Sequence, residues 1–78
     1  MTTFEQLRDT IAQTLDVAPE SITRTSTAPD IPGWDSLGHV NLMMALEQTF
    51  DVQLEVEDFQ KLTSVPAILD YLKHPGVS

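Results

Sequence analysis

Ser36 lies between Asp35 and Leu37, just after a Pro32-Gly33 turn and at the head of a long apolar run, so its hydroxyl sits where a helix begins. The first turn of a helix has backbone N–H groups without intrahelical partners and the positive end of the helix dipole, which suits a phosphodiester. Serine is also a preferred helix cap, and position alone favours that plainer role. Ser36, His39 and Asp35 invite comparison with a hydrolase triad, but the segment has no Gly-x-Ser-x-Gly elbow and no oxyanion loop. His39 reads instead as a surface residue pairing with Asp35 at the i, i+4 spacing. With nothing evident to orient the three as a triad, no catalytic residue is assigned in this chain.

The elements that would position Ser36 follow from the apolar spacing. Phe4, Leu7, Ile11 and Leu15 predict an amphipathic helix over about Thr3 to Leu15, started by a Thr2/Glu5 capping box. From Asp16 to Trp34 the period lapses among Pro, Ser, Thr and Gly, giving a long loop that Val17, Ile22 and Ile31 would anchor inward. A second helix starts at Asp35 or Ser36, either of which can cap it, and runs through Leu37, Val40, Met43, Met44 and Leu46 to Phe50. Residues 55–61 suit a turn or two of helix with Val56 and Phe59 facing inward. The last helix starts near Thr63 or Ser64 and tolerates Pro66 in its first turn. It carries Val65, Ile68, Leu69 and Leu72 inward, with Lys73 and His74 near its end and Pro75-Gly76 stopping it. The expected fold is all-α: a small four-helix bundle of three longer helices and one short one, with the long loop between the first and second.

Seventy-eight residues imply a single domain over 1–78 with a modest aliphatic core. The absence of cysteine rules out a disulfide framework, a thiolate metal site and a thiol nucleophile within the chain. With no signal-peptide pattern and no apolar run of membrane length, a cytoplasmic monomer is expected, not inserted in a membrane. Twelve acids against four bases, a net charge of -8, argue against nucleic acid. Between Arg24 and Lys61 there is no Lys or Arg, while Asp51, Glu55, Glu57 and Asp58 form an acidic cluster. That cluster does not have EF-hand spacing, and no metal ligand set is assigned to it. It reads as a docking surface for basic patches on partner proteins. Leu37, Val40 and Met44, three and four residues apart, read as an apolar docking line bordered by Glu47 and Asp51, with Val40 equally at home in the core.

Taken together, Asp35-Ser36-Leu37, Val40 and the Met43-Met44-Ala45-Leu46-Glu47 run ending at Phe50-Asp51 resemble the acyl carrier protein family. The likeness extends from Phe4, Leu7 and Ile11 to Leu62-Thr63-Ser64-Val65 and Ile68-Leu69-Asp70-Tyr71-Leu72, nearly the whole chain. The resemblance implies that Ser36 carries a 4'-phosphopantetheine arm, flanked by Asp35 and Leu37. A separate phosphopantetheinyl transferase would install it from coenzyme A, with Asp35 helping to position that enzyme and its metal ion. The arm's thiol would hold acyl or aminoacyl groups as thioesters. The further partners implied are an acyl- or aminoacyl-loading ligase or transferase and a downstream synthase or acyltransferase. Trp34, Gly38 and Asn41 depart from carriers of general fatty-acid synthesis, which usually have an acidic residue at the Asn41 position, and point to a dedicated carrier for one pathway. The rival reading is an unmodified acidic helical adaptor for a basic or apolar partner, in which Ser36 is only a cap.

Overall fold

A computed structural model describes residues 2–73; the sequence-based expectations for His74, Pro75 and Gly76 lie outside the described residues. Helix α1 spans Thr3–Leu15, α2 Ser36–Phe50, α3 Val56–Lys61 and α4 Val65–Lys73, and no strand occurs among the described residues. The expected capping box forms at α1, where the Glu5 N–H donates to Thr2 Oγ1 (3.1 Å) and the Thr2 N–H to Glu5 Oε1 (3.0 Å). The Thr2 N–H holds the Glu5 carboxyl below its ordinary value. Both long helices stop at an aspartate in the left-handed region, Asp16 (φ 58°) and Asp51 (φ 54°), a conformation that a short polar side chain tolerates better than most.

The long α1–α2 connection is held at many points. Two 3₁₀ turns, Pro19–Ser21 and Ala28–Asp30, break it up, and Ile22, Ile31 and Trp34 are buried, with Val17 half-buried. Residues 26–28 also pair antiparallel with the α3–α4 link: the Ala28 N–H donates to the Thr63 carbonyl (2.9 Å) and the Val65 N–H to that of Ser26 (2.8 Å). This pairing satisfies backbone groups that a loop packed inward would otherwise leave without partners.

The core is the aliphatic set read from the helical spacing. Leu7 and Ile11 of α1, Leu42, Met43 and Leu46 of α2, and Val65 and Ile68 of α4 are sealed from solvent, each worth about 1.5–3 kcal/mol by burial. Phe4, Leu15, Phe50, Phe59 and Leu72 pack around them, half-buried. Val56 departs from its expected inward position: it opens α3 and is 77% exposed, while Phe59, three residues on, packs against the core. Six residues give α3 one narrow inner stripe, and Phe59 takes it.

The far end of the bundle is tied by two polar contacts. Glu47 Oε2 accepts from the Leu54 N–H (3.0 Å), and the Tyr71 hydroxyl donates to the Gln53 carbonyl (3.1 Å), so the turn after α2 is held from both α2 and α4. Burial, and then the charges of Asp58, Glu55 and Glu47, raise the Tyr71 phenol above its ordinary value of 10.0. The folded protein therefore keeps a proton that the unfolded chain gives up first. This stabilisation is intact below pH 10.0 and is lost as pH climbs through the raised value. Tyr71→Phe is expected to flatten the alkaline side of the Tm–pH curve, whereas an undiminished alkaline loss in the variant would contradict this.

Candidate functional site: the head of helix α2

Asp35, not Ser36, caps α2. Its carboxylate accepts from the Gly38 N–H (2.8 Å) and its carbonyl from the His39 N–H (2.7 Å), so Ser36 is the first helical residue. Ser36 is exposed, and among the described residues its hydroxyl makes no protein hydrogen bond. The serine is thus free of the capping duty that position alone would have assigned it. No acidic side chain occupies the first turn of α2, where the N–H groups of Ser36 and Leu37 have no intrahelical acceptor.

The loop before α2 lies tight against this first turn. Gly33 takes φ 85°, and a Cβ on Gly38 would stand 2.0 Å from the Gly33 carbonyl oxygen and 3.0 Å from Leu15 Cδ2. Gly38 is therefore required by close approach, because only a bare α-carbon lets the turn and the helix meet there. Next to it Trp34 is 7% exposed, which makes it a loop anchor. Its indole N–H donates to His39 Nδ1 (2.9 Å), and the two rings stack at 6.2 Å with a 22° tilt.

His39 is not the surface partner of Asp35 that its spacing suggested. It is half-buried, stands edge-on to the Phe59 ring at 6.4 Å, and donates from Nε2 to the Phe59 carbonyl on α3. The indole competes successfully for the ring because it lies on the core side of the helix, while the Asp35 carboxylate is occupied by the Gly38 N–H. A cleft of about 270 Å³ opens beside Ser36, walled by Ala28, Trp34, Asp35, His39 and Thr63. Nothing in the sequence assigned Ala28 or Thr63 to this site, since it is tertiary pairing of the long loop with the α3–α4 link that brings them here, and Phe59, read as inward-facing, was not linked to His39.

On the outer side of α2, Leu37 (72% exposed), Val40 (43%) and Met44 (49%) form the open apolar line expected from their spacing, and Val40 is outside the core. Asp51, Glu55 and Glu57 are exposed. Glu47 and Asp58 are half-buried and partly engaged: Glu47 holds the Leu54 N–H, and Asp58 Oδ2 accepts from the Glu55 N–H (2.9 Å) at the start of α3. Among the described residues no group of three or more His, Cys, Asp or Glu is placed to hold a metal ion.

A family model described as a phosphopantetheine attachment site matches residues 5–72. The chain belongs to the acyl carrier protein family. It is 34% identical over 76 residues to the acyl carrier proteins of Campylobacter concisus (strain 13826) and Campylobacter curvus (strain 525.92), in each case covering 97% of this chain and 99% of the relative. Its fold also matches the solution structure of a holo acyl carrier protein from Geobacter metallireducens, with a TM-score of 0.82 and 32% identity over 96% of this chain and 86% of the other. Members of the acyl carrier protein family are carriers, not catalysts. Their cofactor is a covalently attached phosphopantetheine, placed by a transferase and presented to synthetic enzymes. The residues at the head of α2 fit that group: an exposed hydroxyl, unpaired first-turn N–H groups and an adjoining cleft. Among the described residues no helix is long and apolar enough to cross a membrane.

Proposed function

We propose that Ser36 is the attachment point of the arm and that residues 1–78 act as one carrier domain in the cytoplasm, holding acyl or aminoacyl groups as thioesters. The observation that carries this reading is the division of labour at α2: Asp35 caps the helix, leaving the Ser36 hydroxyl exposed and without a hydrogen-bond partner among the described residues. A serine that served only as a cap, as the adaptor reading requires, would accept the N–H that Asp35 accepts instead. When bound, the arm supplies the thiol that this cysteine-free chain lacks. Asp35 and Leu37, exposed on either side of Ser36, are the groups a phosphopantetheinyl transferase meets as it reaches the hydroxyl.

Partner enzymes are proposed to dock on the exposed line of Leu37, Val40 and Met44, with Asp51, Glu55 and Glu57 steering basic surfaces toward it and Glu47 and Asp58 adding to the field. These partners are a loading ligase or transferase and a downstream synthase or acyltransferase. Trp34, Gly38 and Asn41 support service to one dedicated pathway. Incubation with coenzyme A and a broad-specificity phosphopantetheinyl transferase is expected to add one arm to the wild type and none to Ser36→Ala, read by intact mass. A wild type of unchanged mass would instead favour the unmodified adaptor.

A further inference from the structure

His39 stands between the attachment point and the core. Ser36, His39, Met43 and Leu46 follow one another at spacings of three and four along α2, so a single row leads from the exposed hydroxyl to two side chains sealed from solvent. An aliphatic chain tethered at Ser36 would gain by leaving water along that row and entering between α2 and α3. The row is closed at its second position. His39 Nε2 donates across to the Phe59 carbonyl of α3, Nδ1 accepts from the Trp34 indole, and the Phe59 ring stands edge-on against the imidazole. Both ring nitrogens are engaged by different elements, the loop before α2 and α3, so the ring cannot swing aside without losing a half-buried polar contact at each end. The outer cleft of about 270 Å³, with Trp34 and His39 as walls, remains open beside Ser36.

We infer that the Trp34–His39–Phe59 latch is a gate that excludes long aliphatic cargo from the helix bundle, so that this carrier presents compact acyl or aminoacyl groups in the outer cleft. This rests on Ser36 being the attachment point. The gate also gives the departure at Trp34 a use beyond anchoring the loop, because the indole fixes the imidazole in the closed position.

The test loads the full chain from acetyl- and decanoyl-coenzyme A with the transferase and follows cleavage of each thioester by hydroxylamine. In the wild type the two thioesters should be cleaved at rates within about twofold of each other. In His39→Ala, checked for helicity by circular dichroism, the decanoyl thioester should be protected by about tenfold or more, since each methylene withdrawn from water adds to the partition. His39→Gln keeps an N–H for the Phe59 carbonyl and should behave as the wild type does. Decanoyl protection of tenfold in the wild type would overturn the gate, as would a folded His39→Ala that protects no better. If His39→Ala does not fold, the wild-type comparison alone decides between an open and a closed row. A chain that gains no mass from either donor would fail earlier, at Ser36, and so is distinguishable from a chain that loads but shelters long cargo.

Discussion

Gly38→Ala is expected to destabilise the protein by about 1–3 kcal/mol, the range for forcing extra atoms into a packed site. Elsewhere in a helix the same change usually stabilises by about 0.5–1 kcal/mol, so the sign is set by local contact. Here the added methyl would stand 2.0 Å from the Gly33 carbonyl oxygen, well inside any non-bonded approach. Gly33 has little freedom to retreat, since it is held at φ 85° and even a Cβ there would lie only 3.2 Å from the Leu15 carbonyl oxygen. For a domain of this size each kcal/mol moves Tm by about 4–8 °C, which thermal melting resolves readily. An unchanged or raised Tm would mean that the turn and the helix are not in the contact described. The site should suffer as well, because Trp34 lies in the same turn and its bond to His39 depends on how closely that turn approaches α2.

The second large effect is functional and leaves the fold alone. Leu37 is 72% exposed and Met44 49% exposed, so truncating either to alanine removes little from the core, and Tm should move by no more than a surface change of about 0.5 kcal/mol. If a partner enzyme covers Leu37, losing that side chain forfeits about 1.5–3 kcal/mol of burial. At 1.4 kcal/mol per decade this is a rise in the KM for the carrier of about tenfold to a hundredfold. Met43→Ala should show the opposite pattern, since Met43 is sealed from solvent and its loss costs about 2–5 kcal/mol of stability. The pair of measurements, transfer kinetics and melting, therefore separates the two faces of one helix. A Leu37→Ala variant that melts well below the wild type yet transfers normally would contradict the docking assignment.

How much of this was legible in the sequence varied with the kind of interaction involved. Helix α1 was readable to the residue, because the Thr2/Glu5 capping box and the Phe4, Leu7, Ile11, Leu15 spacing are both local signals. The two faces of α2 were also separable, since a stripe wider than one packing contact needs implies a second surface. What escaped was nonlocal. Nothing in the spacing of Val56 and Phe59 shows that only one of them reaches the core, because a six-residue helix has too few turns for its period to fix its rotation. His39 and Asp35 have an ideal i, i+4 separation, yet Asp35 is occupied by the Gly38 N–H and His39 is drawn toward Trp34 and Phe59. The cleft wall at Ala28 and Thr63 depends on pairing between segments more than thirty residues apart in sequence, for which a helical pattern carries no sign.

The central claim is that the Ser36 hydroxyl is the tether. Fragment mass mapping after incubation with coenzyme A and a phosphopantetheinyl transferase tests it most directly. The expected result is one phosphopantetheine, found on the fragment that contains Ser36. An arm on Ser21, Ser26 or Ser64, or a chain that takes up none, would contradict it.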